Sequence, residues 1–429
     1  MCAPDRRAPQ RCCPTTIAHS IPTESIMSYR SNLLPNVALA VLALAIGACT
    51  DAAPAPTTPS RPSLSAVKFW EVGSSVAWNR TARELIAARA VNDATFRDPA
   101  RLMRIFTYLS VAQYNAVLAA ENAKERGEHA SPAAAAAGAS VVVLKSFFGQ
   151  FDGMEQLLNA RLQAQLDGAR WPGERHTDLA AGEAIGRAIG ADVVAYAATD
   201  GFNQTAAPTN PGGANNWKGS NPFRGLYGTR LLVLTSADQF RPPPHPAVGS
   251  AEFNAALDEV RAVAAAPSPA QLASMSFWAP LASPYMNELA DQMIVAHRNS
   301  EREAARVFAL ANMAGFDGLN ACFDAKFAYY LIRPWELDNS IQTRVGRPAH
   351  PSYPSGHSCI TSAYATLLAS LFPSERGRLE AMIEEAGMSR MYAGLHYRFD
   401  LEAGQELGRQ VARYVLENGA GRHTGIPLN

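Results

Sequence analysis

The stretch Pro354-Ser-Gly-His-Ser-Cys-Ile-Thr-Ser-Ala-Tyr-Ala-Thr-Leu-Leu-Ala-Ser-Leu371 carries signals for both a helix and a ligand site. Its apolar residues recur at helical spacing and predict a buried helix over about 356–371. Ser355 precedes that helix as its N-cap, where the first backbone N–H groups attract an anion. Gly356 lets the backbone approach a ligand closely, and His357 is placed to give or take a proton. Taken alone, Ser355 is an ordinary helix cap.

The rest of the body shows the same helical periodicity from about residue 64 onward. We expect helices after the pairs Asp98-Pro99 and Ser131-Pro132, and over about 250–264, 268–276, 284–299, 301–333, 375–387 and 397–417. Gly182, Gly186 and Gly190 lie four apart in an alanine-rich stretch, which predicts close contact with another helix. No strand-like alternation persists long enough to predict a sheet. The pattern therefore predicts an all-α fold with a single all-helical domain over 66–429.

Residues 201–249 break this pattern with a long run of loop-forming chemistry, including Asn210-Pro-Gly-Gly-Ala-Asn-Asn-Trp217 and Arg241-Pro-Pro-Pro-His-Pro246. Loops of this length in a compact domain are usually functional or mobile. We expect this one to line a substrate entrance. Whether it closes over a pocket is left open by the sequence.

Composition places the chain among globular proteins, with 48% hydrophobic and 18% charged residues. Lys and Arg total 38, as do Asp and Glu, so no basic excess predicts a nucleic-acid partner. Any anion site must therefore be local. Cys322 and Cys359 are the cysteines of the body, and Cys359 lies two residues after His357. Two buried thiols and a disulfide are both compatible with the placement of this pair.

Residues 1–48 predict a secretory signal, with Met27 as an alternative start. Its apolar run, 37–46, is too short to span a bilayer, which takes about 20 residues. The run ends in Ile46-Gly-Ala-Cys49, which resembles a bacterial lipobox and predicts a lipid on Cys49. The alternative is ordinary secretory cleavage just before that cysteine.

Residues 49–65 predict a proline-rich tether that cannot form a hydrophobic core of its own. No window after the signal reaches 18 apolar residues, so we expect no spanning helix in the mature chain. These features predict an exported protein of the bacterial cell envelope or periplasm, in contact with the membrane through its lipid anchor only.

A cationic cluster precedes the helix at 356–371. Lys326 and Arg333 are seven residues apart, which predicts one face of a helix that Pro334 ends. The residues between them, Phe327 to Ile332, are mostly apolar or aromatic, so we expect this helix to be buried. Two buried cations need an anionic partner. The alternative interpretation is a solvated basic stripe.

A third cluster follows at Ser389-Arg390, His396 and Asp400. His396 and Asp400 are four apart at the predicted start of the final helix, so the carboxylate can accept a ring proton and make the other nitrogen nucleophilic. Arg390 is expected in the turn between helices. A His/Asp pair at this spacing is, by itself, usually a surface contact.

The order Lys-x6-Arg-Pro, Pro-Ser-Gly-His and Ser-Arg-x5-His-x3-Asp resembles the type 2 phosphatidic acid phosphatase/vanadium haloperoxidase superfamily. The resemblance covers about 285–415, the motif-bearing core, and implies a helical bundle of that type. It implies phosphate or vanadate binding by the cationic and backbone groups Lys326, Arg333, Ser355, Gly356 and Arg390. It also implies His396 as the nucleophile or axial vanadate ligand, His357 as general acid and Asp400 as the carboxylate that orients His396.

Two chemistries share this signature because five-coordinate vanadate resembles the transition state of phosphoryl transfer. His350 stands five residues before Ser355, an arrangement similar to that of bromide-oxidising members. The alternative for His350 is a loop histidine packed against Tyr353. Phe323 stands where chloride-oxidising fungal members carry tryptophan, which disfavours that subtype.

We therefore expect a phosphoric monoester hydrolase that needs no cofactor and acts on a small-molecule phosphate ester through a phosphohistidine. The first alternative is a vanadate-dependent haloperoxidase that oxidises bromide or iodide with hydrogen peroxide at the same residues. The second is a phosphate- or vanadate-binding protein without turnover. A complete histidine and aspartate set argues against this second alternative, since binding alone needs only the cations.

Overall fold

The computed structural model describes residues 73–167, 178–280 and 283–419. All of them belong to the second of two units into which the chain divides, Met1–Ser60 and Arg61–Asn429. The predicted signal segment, Cys49 and the predicted tether lie outside the described residues. The described helices are α1 Ser74–Ala90, α2 Pro99–Glu125, α3 Pro132–Phe148, α4 Met154–Asp167, α5 Leu179–Ala198, α6 Ala251–Ala265, α7 Pro269–Phe277, α8 Ser283–Ala296, α9 Glu301–Tyr329, α10 Pro334–Leu337, α11 Gly356–Leu371, α12 Arg376–Tyr392 and α13 Arg398–Asn418.

The fold is all-α, as predicted. Within the described residues the extended pairings are two isolated bridges, Ala130 with Asp178 and Asn216 with Leu331. Short polar side chains cap the N-termini of many helices by accepting a hydrogen bond from a backbone N–H group of the first turn. At α3, α5, α6, α7 and α9 these caps are Ser131, Asp178, Ser250, Ser268 and Ser300.

The glycines of α5 pack directly on the backbone of α3, which confirms the predicted close contact. A Cβ on Gly186 would lie 1.9 Å from the carbonyl oxygen of Ala135, and one on Gly182 would lie 2.4 Å from that of Ser131. Side chains cannot be accommodated at such distances, so glycine is required for this helix spacing.

Helix α9 runs through the centre of the bundle and is buried along most of its length. It packs against α2, α11 and α13. The ring of Tyr364 in α11 fills the space beside Gly315, where a Cβ would lie 2.2 Å from it. The N-termini of α11 and α13 meet beside the C-terminal end of α9, and this is the region that holds the motif residues.

Two further glycines set the approach of α13 to α11. A Cβ on Gly404 would lie 2.7 Å from the carbonyl oxygen of Ser355, and one on Gly408 would lie 2.4 Å from that of Cys359. The backbone N–H of Ser355 also donates to the carbonyl oxygen of Asp400, at 2.9 Å. These contacts hold the start of α13 against the Ser355 turn.

The predicted long loop is present between α5 and α6, and it is bound to α9. The carboxylate of Asp317, fully buried on α9, accepts the backbone N–H groups of Leu232, Val233 and Leu234 at 2.8–2.9 Å. Asn320 donates to the carbonyl oxygen of Thr229 at 2.6 Å. The loop is thus an ordered layer over the central helix.

The prediction that one helix spans 301–333 is wrong, because α9 ends at Tyr329. Tyr330 adopts left-handed backbone geometry with φ of 50°, and its N–H donates to the carbonyl oxygen of Lys326. The chain then runs extended: the N–H of Trp217 donates to Tyr330 and the N–H of Ile332 donates to Asn215. The loop thus pairs with this segment, and the helix ends before Pro334 is reached.

Helix α12 continues through Tyr392, beyond the predicted end at 387. In residues 73–167, 178–280 and 283–419, each helix is either too short or too polar to cross a bilayer.

Candidate active site

Lys326 lies in the last turn of α9 and is completely buried. Its Nζ donates to the carbonyl oxygens of Pro351 and Ser352, each at 2.9 Å, and to that of Pro354. Burial lowers the pKa of Lys326 to about 8. The ammonium group therefore holds the loop that leads into Ser355, and direct contact with an anion requires release of one of these carbonyls.

Arg333 does not share a helix face with Lys326, contrary to the prediction, because the chain turns at Tyr330. It lies at the N-terminus of α10 with its side chain fully buried. Its guanidinium donates to the carbonyl oxygens of His350, at 3.0 Å, and Leu395, at 2.8 Å. The turn at Tyr330, rather than a continuous helix, thus brings the two cations to one site.

Arg390 lies in the last turn of α12, not in the turn between helices as predicted. It is 2% exposed, with Nε donating to Ser389 Oγ at 3.0 Å and Nη2 donating to the carbonyl oxygen of Met275 at 2.9 Å. Burial lowers the pKa of Arg390 to about 10. These partners are neutral groups, so the charge of the guanidinium is not compensated by them.

The turn Ser355-Gly356-His357 begins α11. Ser355 Oγ accepts the backbone N–H of Ser358 at 3.4 Å, as a helix cap does. Gly356 is buried, yet a Cβ on it would have only Lys326 Cε within 4 Å, at 4.0 Å. This contrasts with Gly404 and Gly408, whose positions are filled by neighbouring backbone. The backbone at Gly356 therefore offers a small cradle beside the ammonium group.

His357 is half-buried, and its Nε2 lies 2.8 Å from the carbonyl oxygen of Trp278. A carbonyl only accepts, so Nε2 carries a proton. The backbone carbonyl of Pro280 also bonds this ring. Burial and the nearby Arg390 lower the pKa of His357 to about 3. The imidazole is therefore neutral without an anion beside it.

His396 immediately precedes α13, where Asp400 is in the first turn. His396 Nδ1 lies 2.8 Å from Asp400 Oδ2, so Nδ1–H donates to the carboxylate. His396 Nε2 lies 3.0 Å from Arg333 Nη1, a donor, so Nε2 presents its lone pair. Burial and the charge of Arg333 hold the pKa of His396 well below its usual range. His396 is thus an oriented, neutral imidazole whose Nε2 carries a lone pair.

Asp400 is held in turn by a serine that the sequence patterns did not single out. Ser352 Oγ donates to Asp400 Oδ2 at 2.6 Å, and the backbone N–H of Tyr397 donates to the same oxygen at 3.1 Å. Burial raises the pKa of Asp400 to about 6. Ser352 precedes the Pro-Ser-Gly-His motif by two residues, and only the fold brings it to the carboxylate.

The electrostatic balance of this region favours an anion. Lys326, Arg333 and Arg390 are three buried cations, while Asp400 is the buried carboxylate among them. Buried charges are stable in proteins when they are compensated by opposite charge and hydrogen bonds. An oxyanion of two or more negative charges would supply that compensation, and the His396 Nε2 lone pair points into the same cluster.

His350 and Phe323 lie beside this cluster. His350 Nδ1 is 3.0 Å from Arg333 Nη2, and the rings of Phe323 and His350 meet edge to face with centroids 5.2 Å apart. The alternative prediction, that His350 packs against Tyr353, does not describe this contact. The ring of Tyr353 packs against His245 and Tyr329 instead.

Cys322 and Cys359 are free thiols, both buried, and they hydrogen-bond to one another between α9 and α11. The structure therefore selects the two-thiol alternative. Their positions behind Lys326 and the Ser355 turn make them part of the packing that supports the site.

The fold is all-α, and its motif residues form a buried cluster of three cations beside an oriented, neutral imidazole. Residues 306–419 match the model of the PAP2 superfamily.

Among curated proteins, the chain is similar to the non-specific acid phosphatase of Salmonella typhi, with 31% identity over 103 residues, 23% of this chain and 41% of the relative. It is also similar to the undecaprenyl-diphosphatase of Sulfolobus acidocaldarius, with 32% identity over 91 residues, 20% of this chain and 43% of the relative. The chain thus spans less than half of the length of the curated relatives that it matches.

Among solved structures, it is similar to a bacterial vanadium-dependent iodoperoxidase, with a TM-score of 0.65, 21% identity, and coverage of 81% of this chain and 97% of that one. An apo-type bacterial vanadium-dependent chloroperoxidase gives a TM-score of 0.59, 13% identity, and coverage of 76% and 94%. At these low sequence identities the similarity to the two structures is evidence about the fold alone. It extends beyond the family match to the helices that precede residue 306.

Proposed function

We propose that this protein is a phosphoric monoester hydrolase that works through a phosphohistidine on His396. The observation that supports it best is the pairing of an oriented His396 lone pair with three buried cations, Lys326, Arg333 and Arg390. Phosphoryl transfer depends mainly on positioning and on neutralising charge at the equatorial oxygens, and this site provides both.

In the proposed first step, the phosphate of the ester takes the guanidinium donors of Arg333, which frees His396 Nε2. That nitrogen attacks phosphorus, the bond from phosphorus to the ester oxygen breaks, and the ester oxygen takes a proton from His357 to leave as an alcohol. The charge of the bound ester raises the pKa of His357, which makes this proton available. Trp278 holds the proton on Nε2, so the transferable proton is on Nδ1.

In the second step, water attacks the phosphohistidine while His357 Nδ1 takes a proton from it. The bond between His396 Nε2 and phosphorus breaks, and phosphate is released. Asp400 keeps its hydrogen bond to His396 Nδ1 throughout and stabilises the positive charge that develops on the ring. Each group returns to its starting protonation state after one turnover.

The experiment is hydrolysis of an aryl phosphate by the purified protein and by His396→Ala, with and without orthovanadate. We expect about a 10³-fold or larger loss in the variant and inhibition of the unaltered protein by vanadate. His129→Ala, which changes an exposed histidine outside the site, is the matched control. Full retention of hydrolysis by His396→Ala would refute the mechanism.

A second candidate is a vanadium-dependent haloperoxidase, and the contact between His350 and Arg333 favours it. The donor set fits vanadate: the three cations and the Gly356 cradle would hold its oxygens, and His396 Nε2 would bind the vanadium. Bound vanadate would supply the activation of hydrogen peroxide. The same preparation, loaded with vanadate, should then oxidise bromide or iodide and hydrolyse no ester.

We also propose that the single helical domain begins near residue 66 and that the exported chain carries a lipid on Cys49. The lipobox-like sequence supports this proposal. Expression in a bacterial host with a labelled fatty acid tests it, with Cys49→Ser as the comparison. Equal labelling of both chains would refute the anchor.

A further inference from the structure

The region of helix α7 and the segment that follows it, residues 269–280, lies against two of the proposed active-site side chains. Its backbone carbonyls at Met275 and Trp278 accept hydrogen bonds from Arg390 and His357. His357 is the proposed general acid, which must touch the oxygen of the leaving group. In the proposed mechanism the leaving group meets this ring at Nδ1, while the segment holds the same ring at Nε2, so the segment borders the side chain that the leaving group contacts.

An exposed aromatic side chain is located at this point. Phe277 is 53% exposed although it is large and apolar, while its neighbour Trp278 is 2% exposed. The ring of Phe277 meets those of Trp278 and Tyr285 edge to face, each with centroids 5.0 Å apart. The two neighbours pack against the ring of Phe277 and leave one part of it as an exposed apolar surface.

The chemistry around Phe277 disfavours a charged leaving group. No Asp, Glu, Lys, Arg or His occurs between Arg261 and Glu288 in the sequence. Ser274, about one helical turn before Phe277, donates to the carboxylate of Glu385 at 3.2 Å. The charged side chains that act on the neighbouring Tyr285 are Arg378, Glu385 and Glu288, so acidic groups predominate on this side and repel a second phosphate or carboxylate on the leaving group.

We propose that Phe277, supported by Tyr285, forms an apolar subsite for the leaving group, so that the substrates are phosphate monoesters of uncharged aromatic or alkyl alcohols. This inference rests on the proposed phosphatase function and on the role of His357 in it. Phe277 acts in specificity, by contact with the part of the substrate that departs.

The test compares 2-phenylethyl phosphate with glycerol 1-phosphate by release of inorganic phosphate. Both are esters of alkyl alcohols, so the difference in kcat/KM reports binding of the leaving group more than its intrinsic reactivity. We expect the unaltered protein to prefer 2-phenylethyl phosphate by roughly 10-fold or more. Phe277→Ala should lose about 10-fold in kcat/KM for that ester and stay within about 2-fold for glycerol 1-phosphate. Phe277→Leu should retain most of the preference.

Leu157→Ala is the matched control, since it truncates an exposed apolar side chain on α4, outside the site. Equal kcat/KM for the two esters, or an equal loss for both in Phe277→Ala, would overturn the subsite while leaving the phosphatase function intact. Absence of hydrolysis of either ester by the unaltered protein would overturn the function and the subsite together.

Discussion

Replacing Arg390 by methionine tests whether this buried cation, which would bind an anion, lowers the stability of the ligand-free protein. Arg390 is 2% exposed and bonds neutral groups, Ser389 Oγ and the carbonyl oxygen of Met275. Burial lowers its pKa from 12.5 to about 10, which corresponds to about 3 kcal/mol against the charged form in the folded state. Arg390→Met removes that penalty and keeps an unbranched side chain that fills much of the same space.

Two lost hydrogen bonds offset part of this gain in stability. The carbonyl oxygen of Met275 and Ser389 Oγ each lose a hydrogen bond, at about 1 kcal/mol apiece. Ser389 Oγ still donates to the carbonyl oxygen of Ala386, at 2.7 Å, so it retains a partner. We therefore expect ligand-free Arg390→Met to be about 1 kcal/mol more stable than the unaltered protein, in line with the replacement of other uncompensated buried charges.

The assay is urea unfolding with and without inorganic phosphate. Phosphate at about 100 times its Kd should stabilise the unaltered protein by about 2.7 kcal/mol, and Arg390→Met by much less. Arg398→Met is the control: its half-exposed pair with Glu259, at 2.9 Å, lies outside the site, so a loss of at most about 1 kcal/mol and an unchanged phosphate effect are expected. Loss of more than about 2 kcal/mol in Arg390→Met, with the full phosphate effect retained, would refute the reasoning.

Four further changes test the parts of the site separately. Asp400→Asn should lower kcat for an aryl phosphate by about 10³-fold or more with little change in KM, because His396 loses its orienting acceptor; an unchanged kcat would exclude that role. Ser352→Ala removes a hydrogen bond that lowers the pKa of Asp400, which is about 6, so the acid limb of the kcat/KM profile should move to higher pH; a shift to lower pH contradicts this. Gly356→Ala should leave the melting temperature nearly unchanged but weaken phosphate binding, measured by calorimetry, by roughly 10-fold, and unchanged affinity would place the anion elsewhere. Asp317→Asn should cost about 2 kcal/mol in urea unfolding by depriving the loop N–H groups of an acceptor, and a neutral effect would show that the loop is held by other contacts.

The helical fold could be predicted because its apolar residues recur at helical spacing within each local segment of the sequence. Gly182 and Gly186 also predicted a contact correctly, since glycines repeated on one helix face have few other uses. The end of α9 could not be predicted in the same way. Its last residues are compatible with helix up to Pro334, and only pairing with residues 215–217, distant in the sequence, turns the chain at Tyr330.

The site shows the same division between local and long-range information. The spacing of His396 and Asp400 predicted their pairing, which occurs at 2.8 Å. The hydrogen bonds accepted by the carbonyl groups of Trp278 and Met275 could not be predicted from the sequence, because a backbone acceptor can belong to any residue type. The role of Ser352 could not be predicted either, because nothing in the sequence distinguishes it from the other serines. Such contacts arise from the fold, and they determine which nitrogen of His357 and which oxygen of Asp400 is used.

The motif residues, which the sequence predicts, and the backbone contacts, which only the fold reveals, have different consequences for function. The three buried cations favour any compact oxyanion, and the burial of Arg390 among neutral partners is expected to weaken the ligand-free fold. Charge alone therefore does not separate an ester phosphate from vanadate. In the proposed mechanism the separation depends on proton transfer from His357 Nδ1 to the leaving group, while Trp278 holds Nε2. The segment that carries Trp278 also carries Phe277, the residue proposed to contact the leaving group. Changes at Phe277 should accordingly alter the preference among leaving groups, while phosphate affinity follows the cations.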